Sequence, residues 1–374
     1  MKIAIICHDL SGGGAERVVA IVASGLAKKQ HSVHIFIEHD RRENAAYLDP
    51  SVELTVLKGK SRVARIWSLV KYLRAGGYDV VHTINPLLTV QTLMVRRCAD
   101  LERAALIGSY HGLFAQFHGI LGRASYFFTP VITRLADKTI CVSNALKADL
   151  IGRWGASQDN LVTIYNPVAV VQRPVASTRE TDELPAHYVL FAGRLTRDKN
   201  PALALKALAL LPQTLSSFSL VVLGVGPLRN DLEQLAERLK IRERVCFVGY
   251  VTHPWIFYQN AKAFVSTSDA EAFGLVIVEA LAYGVPVVAT KSGGPQEILD
   301  DGRFGSLVDT GDERALASAL IHAINAPPPR DALRARAAEY NVDRSTDAYE
   351  RLFSQTIAER RASGKPAQAD MLQS

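Results

Sequence analysis

The chain has 374 residues, 48% of them hydrophobic and 21% charged, with a formal net charge of +6. That length exceeds one ordinary core and calls for two domains, and the composition is that of a soluble globular protein. No run of about 18 apolar residues occurs, which excludes a membrane-spanning helix. Four scattered cysteines (Cys7, Cys98, Cys141, Cys246) exclude a disulfide scaffold and a cysteine metal site, and they suit buried thiols in a reducing cytoplasm.

The charge is one-sided. Residues 1–165 carry 20 Lys/Arg against 13 Asp/Glu, and the remainder carries 23 against 24. Within 58–153 the count is 14 against 5. Such an excess suits an anionic membrane surface or a nucleic acid, with a merely solvated basic face as the plain alternative. Nucleic acid is disfavoured, because no recognised binding module and no basic strand interleaved with stacking aromatics is present.

In chain order, the apolar stretch Met1–His8 is too short for a secretory signal and reads as a first strand. Gly12-Gly13-Gly14 follows it and leads into a helix opened by Glu16. Further strand-like runs fall at 32–38, 52–57, 79–84, 104–110, 138–142 and 161–165. Between them, Arg62–Arg74 puts Ile66, Leu69, Val70 and Leu73 on one helical face, and Leu113–Leu135 is rich in aromatics. Either segment is a candidate interfacial surface or an ordinary cover for the sheet. Residues 167–185, with three prolines, read as a linker. Strand-like runs resume at 188–193, 219–224, 245–249, 262–266, 286–290 and 305–308, then a helix at 343–362 and a disordered tail at 363–374. Strands alternating with helices predict two doubly wound α/β domains, 1–166 and 186–342.

The stretch Ser266–Thr290 concentrates the chemistry. Glu271 and Glu279 stand eight positions apart, and a loop ending in Phe273-Gly274 opens an apolar helix between them. Backbone N–H groups of Phe273, Gly274 and Leu275 at that helix start should complete a cradle for a phosphate. A phosphate with a carboxylate on each side is the layout expected for a nucleotide-sugar. Arg194 and Lys199 follow the strand ending at Gly193, on the edge where open α/β sheets bind ligands. No Asp-x-Asp at a strand end offers a metal site, so no metal or other cofactor is expected. A dinucleotide site is a competing reading of Gly12–Gly14, but the third glycine of its G-x-G-x-x-G frame falls on Arg17.

Taken together, Gly13-Gly14-Ala15-Glu16, Ser109-Tyr110-His111-Gly112, Val142-Ser143-Asn144, Tyr165-Asn166-Pro167, Phe191–Leu195, Lys199-Asn200, Gly224–Pro227, the Glu271/Glu279 pair and Ser292–Pro295 resemble the retaining glycosyltransferases of family 4 and their E-x7-E motif. The resemblance runs through most of the chain. It implies a GT-B fold, two Rossmann-like domains facing across a cleft, with the acceptor on the first domain and the nucleotide-sugar on the second. It implies that the final helix packs back on the first domain. Arg194 and Lys199 would contact the donor diphosphate, Glu271 the donor-sugar hydroxyls and Glu279 the ribose. His111 would point into the cleft beside the donor sugar. Gly13, Gly14, Gly226 and Tyr250 would help to shape the donor site, and Glu16 is a candidate acceptor contact. The expected partners are a UDP- or GDP-sugar donor and a glycan or lipid-linked glycan acceptor in surface-polysaccharide synthesis. A nucleotide-sugar 2-epimerase, a phosphorylase and a non-catalytic binding subunit are the alternatives.

Overall fold

The computed structural model describes residues 1–116, 120–169, 184–251 and 254–362. Most of the linker and the tail read from the sequence lie outside these. The chain forms two compact units: Met1–Ala169 together with the helix Val342–Ala362, and the described residues between Val170 and Asn341.

The first unit is built on seven parallel strands: β1 (Lys2–Cys7), β2 (Ser32–Ile37), β3 (Glu53–Val56), β4 (Val80–Thr83), β5 (Ala105–Tyr110), β6 (Lys138–Cys141) and β7 (Leu161–Thr163). Their order is β3-β2-β1-β4-β5-β6-β7. β1 lies near the middle of the sheet, pairing Ile5 with Ile35 on one side and with His82 on the other. Covered on both faces, it reads as an unbroken apolar run, as parallel strands do. The helix Gly14–Lys28 buries Val18, Val19, Ile21, Val22 and Leu26.

The helix Val342–Ala362 packs beside Gly14–Lys28. Lys29 Nζ bridges Asp347 and Glu350 at 2.6 and 2.7 Å, and Ser345 Oγ donates to the Tyr165 carbonyl at 2.9 Å. Its Tyr349 and Phe353 are buried, each with its ring centroid 5.8 Å from that of His82.

The helix Arg62–Gly76 settles one open reading. Ser61 caps it, its hydroxyl accepting from the Ala64 amide at 3.2 Å. Leu69, Val70 and Leu73 are buried and Ile66 half-buried, so this stripe covers the unit's own core. Val63 and Trp67 are the apolar residues that face outward.

The second unit has six parallel strands: β8 (Tyr188–Ala192), β9 (Ser219–Leu223), β10 (Val245–Gly249), β11 (Ala263–Ser266), β12 (Val287–Thr290) and β13 (Ser306–Val308), in the order β10-β9-β8-β11-β12-β13. Phe191, Leu220, Val222, Leu205, Leu208, Leu316 and Leu320 belong to one apolar cluster with the helices Pro201–Ala209 and Glu313–Asn325.

Candidate active site

In the second unit the strand order reverses between β8 and β11, and ligands of open parallel sheets are taken at the carboxyl ends of such a pair. The loop after β8 carries Arg194 and Lys199, and the loop after β11 carries Glu271. These two loops are welded together. Thr267 Oγ1 lies 3.0 and 2.8 Å from the carbonyl oxygens of Lys199 and Asn200, and Asn200 Nδ2 donates to Asp269 Oδ1 at 3.0 Å. Lys199 Nζ donates to Glu271 Oε2, and Ser268 Oγ donates to the same oxygen at 3.1 Å. Both partners of this ion pair are largely shielded, their side chains 18% and 11% exposed. Arg194 differs: its guanidinium is exposed and only 4.0 Å from Asp198 Oδ2, a weak, solvent-screened pair that leaves it able to turn to an anion.

The backbone of Glu271 is fixed by the loop after β12. Its N–H donates to Ser292 O at 2.8 Å, and Gly294 N–H donates to its carbonyl at 2.8 Å. Three residues on, Gly274 adopts φ 108°, a left-handed conformation that favours glycine. That turn launches the helix Leu275–Ala282, in whose first turn the Ile277 N–H donates back to the Gly274 carbonyl at 2.9 Å and the amides before it precede the helix's own ladder. The Phe273 side chain is buried against Tyr340, with ring centroids 5.6 Å apart. Only the backbone of Phe273 is placed to meet a ligand.

Glu279 lies farther along this helix and is buried, its Oε2 accepting from Tyr258 Oη at 2.9 Å. The Tyr258 ring stacks on Tyr283 at 5.9 Å. This edge therefore presents a shielded carboxylate–ammonium pair, a helix N-terminus and a second carboxylate set deeper. Such a constellation can hold sugar hydroxyls and a diphosphate together.

Gly226 acts at one remove. A side chain there would run into the backbone of Leu195, which the loop touches directly: Leu195 N–H donates to Val225 O at 3.0 Å and Leu228 N–H to Leu195 O at 3.2 Å. It therefore buttresses the turn that presents Arg194. Tyr250, just past β10, is 53% exposed, and Val225 beside β9 is 56% exposed. Gly224 N–H, donating to Gly249 O at 2.7 Å, ties their two loops together. An exposed aromatic and an exposed valine at adjoining strand ends could receive the face of a base.

In the first unit, Gly13 precedes the helix that starts at Gly14, and the Glu16 carboxylate folds back over the Gly13 α-carbon. That is the position of a helix-start carboxylate favoured by the dipole. His111 follows β5. Its Nε2 is 3.1 Å from Ser109 Oγ, and its ring lines a small internal cavity with Ile5, Val18, Val19, Val22, His82 and Tyr349. Burial, and then His82, push its pKa down to about 3, so the ring is neutral. Ser109 Oγ is also 3.0 Å from Thr83 O, so it donates there and accepts from His111 Nε2–H. Nδ1 is left buried without a partner among the described residues. The apolar face beneath the helix Gly14–Lys28 and the Ser109 hydroxyl draw the ring inward.

Ser268, Thr267 and Tyr258 are the site residues that motif reading misses, while Asn200 enters it only as part of the Lys199-Asn200 pair. Asn200-Pro201 carried a signal: Asn200 takes a left-handed φ of 44° before a proline-started helix. Tyr258 carried none, since it meets Glu279 only through packing between helices.

Two doubly wound units of parallel sheet, with cations and carboxylates gathered at the strand ends of the second, define a glycosyltransferase of the GT-B fold. HepE of Anabaena, solved in complex with UDP and glucose, shares this fold with a TM-score of 0.78 at 21% identity, covering 97% of this chain and 100% of that one. The chain belongs to glycosyltransferase family 4: the model for Glycosyltransferase Family 4 matches residues 12–172, and that for Glycosyl transferases group 1 matches residues 178–340. The lipopolysaccharide core biosynthesis glycosyltransferase LpsE of Rhizobium meliloti is 34% identical over 258 residues, 67% of this chain and 72% of the relative. The N-acetylgalactosamine-N,N'-diacetylbacillosaminyl-diphospho-undecaprenol 4-alpha-N-acetylgalactosaminyltransferase of Campylobacter jejuni is 26% identical over 335 residues, 85% of this chain and 89% of the relative.

Proposed function

We propose that this glycosyltransferase moves a sugar from a UDP- or GDP-sugar to a hydroxyl of a growing lipid-linked glycan, with retention at the anomeric carbon and without a metal. The observation that carries this reading is the Lys199–Glu271 pair beside the start of the helix Leu275–Ala282, with Glu279 deeper along it. Glu271 takes donor-sugar hydroxyls and Glu279 the ribose. As the bond from the anomeric carbon to the β-phosphate oxygen breaks, Lys199 and Arg194 neutralise the departing diphosphate, and first-turn amides add their dipoles. The acceptor oxygen bonds the same face of that carbon, and its proton passes to the departing phosphate oxygen. Glu271 makes no covalent bond on this route. The acceptor class draws support from the relatives, whose names place them in lipopolysaccharide core synthesis and on an undecaprenyl-diphosphate-linked sugar.

A thermal-shift panel of UDP-, GDP- and ADP-sugars, with and without EDTA, tests the donor site. Stabilisation by sugars of one base, equal in EDTA, is expected. A folded sample that no donor stabilises would overturn the reading, and a shift abolished by EDTA would overturn its metal-free part.

The reading extends to the inner face of a membrane. No helix among the described residues is long and apolar enough to cross one. The first unit instead exposes Trp67, Met94, Ile120, Leu121, Phe127 and Phe128, each 48–87% exposed. These residues lie on neighbouring elements: Gln91, on the helix Pro86–Val95 that carries Met94, accepts from the Arg62 guanidinium once its amide is oriented to suit, and that helix packs on Ile120–Ala124 and Thr129–Leu135. Lys58, Lys60, Arg97, Arg123 and Arg134 are exposed on the same stretch of chain. Apolar tips among cations suit an anionic bilayer. The protein is expected to float with phosphatidylglycerol-rich vesicles at low salt, and Trp67→Ser with Phe127→Ser to lose most of that binding. Failure to float, or a dimer that the two substitutions dissolve, would assign the surface elsewhere.

A further inference from the structure

The first unit holds a polar pair that no motif flags. β1 and β2 are adjacent parallel strands whose register ends on Cys7 opposite Ile37, so the next residues, His8 and Glu38, emerge side by side at the carboxyl edge of the sheet. The backbone fixes them there: the amides of Glu38 and His39 both donate to the His8 carbonyl at 2.9 Å. His8 Nδ1 lies 2.5 Å from Glu38 Oε2.

The environment assigns the hydrogen in this pair. Glu38 is 7% exposed, and burial alone would raise its pKa. The hydrogen bond and charge of His8, with Arg62 and Arg65 beyond, outweigh that and hold it below the usual carboxylate range. An ionised carboxylate only accepts, so Nδ1 carries the hydrogen, and Nε2 is the ring nitrogen turned away from Glu38. The His8 side chain is 35% exposed, so this oriented ring meets solvent.

A strand staple is a poor account of this arrangement. Six register pairs already join β1 to β2, and setting a carboxylate into a sheet edge carries a desolvation cost that another apolar contact would avoid. The location also favours a ligand. β1 borders the strand-order reversal of this unit, between β1 and β4, and Asp9 and the Gly12–Gly14 loop follow His8 directly. Ser11 N–H donates to Asp9 Oδ1 at 3.0 Å and Asn44 Nδ2 to Gly13 O at 3.2 Å, so the loop is braced on both sides. Open sheets take their ligands at such a point.

We propose that His8, oriented by Glu38, is a binding residue for the acceptor, with Nε2 hydrogen-bonded to a carbohydrate hydroxyl. This rests on the reading of the chain as a transferase to glycan hydroxyls, and it adds the residue that holds the sugar to be extended. Glu38 acts through His8 and is a positioning residue.

The test uses the full chain and a panel of octyl glycosides of glucose, galactose, N-acetylglucosamine and N-acetylgalactosamine. In 15N-histidine-labelled protein, the His8 ring nitrogens are expected to shift on saturation with at least one glycoside, without donor present. With that glycoside as acceptor, His8→Ala should raise its KM about tenfold, and Glu38→Gln by roughly a third of that factor. Neither should alter the thermal shift given by the donor. A silent His8 signal across the panel, or an unchanged acceptor KM in folded His8→Ala, would reduce the pair to a strand staple. If His8→Ala does not fold, His8→Gln, which keeps a donor toward Glu38, replaces it with the same expectation. Loss of the donor shift in the wild-type protein would instead strike the proposed function and leave the glycoside result standing by itself.

Discussion

Replacing Lys199 with alanine is expected to lower turnover about a hundredfold, the effect of roughly 3 kcal/mol of preorganised charge lost from a leaving group. Arg194→Ala should cost less in the resting protein, because its guanidinium is exposed and makes only a long contact with Asp198. Lys199 carries a second consequence. It is the cation bonded to Glu271, whose side chain is 11% exposed, and its removal leaves that carboxylate with Ser268. A shielded charge that loses its partner destabilises the fold. Lys199→Ala alone should therefore also lower the Tm, by about 2–4 °C for each kcal/mol lost. Adding Glu271→Gln should recover most of the Tm and none of the turnover. A double variant that regains activity would show the lysine to be a structural partner only, and near-normal turnover in Lys199→Ala would remove it from the chemistry altogether.

Gly294→Val should disable the donor site without touching a charged residue. The α-carbon of Gly294 lies against the backbone of Phe273, and any side chain there would occupy the space of the Phe273 carbonyl and α-carbon. Backbone cannot swing aside as a flexible side chain can, so the loop Phe273-Gly274 must move, and the start of the helix Leu275–Ala282 with it. The hydrogen bond from Gly294 N–H to the Glu271 carbonyl is strained by the same displacement. Overpacking of this kind costs about 1–3 kcal/mol in stability. Calorimetric titration with the donor is expected to show affinity at least tenfold weaker, alongside a lower Tm. Unchanged affinity would mean that the amides of this helix start do not hold the donor.

Much of the fold was legible because parallel strands covered on both faces announce themselves. Ile3–Cys7, Leu106–Tyr110 and Val287–Thr290 are apolar runs bounded by polar or glycine-rich turns, and the thirteen strands found among the described residues fall within the stretches read from the sequence. The stretch around Glu271 and Glu279 was legible for another reason: a glycine before an apolar helix, between two acids, is a local pattern. What escaped was made by contacts between distant segments. Thr267 matters because the β11 loop leans on the β8 loop, some seventy residues earlier, and Ser268 because the carboxylate it bonds is also held by Lys199 from that loop. Tyr258 finds Glu279, and His8 finds Glu38, only once helices pack and strands pair. His111 meets the Ser109 hydroxyl and the wall of a small internal cavity, contacts that a strand-end position does not announce. The stripe Ile66–Leu73 was ambiguous from sequence for a related reason: amphipathicity shows that one face is apolar and is silent on what covers it.

The return of Val342–Ala362 to the first unit sets the order in which the protein can be born. Residues 184–341 hold all six strands and the covering helices of their own sheet, so that unit can close as soon as its last helix clears the ribosome. The first unit, although translated earlier, cannot finish. Until Tyr349 and Phe353 emerge, His82 and the helix Gly14–Lys28 lack the surface that covers them. The nascent chain thus carries a complete sheet without its last covering helix through most of its synthesis, and the half made first is the half sealed last.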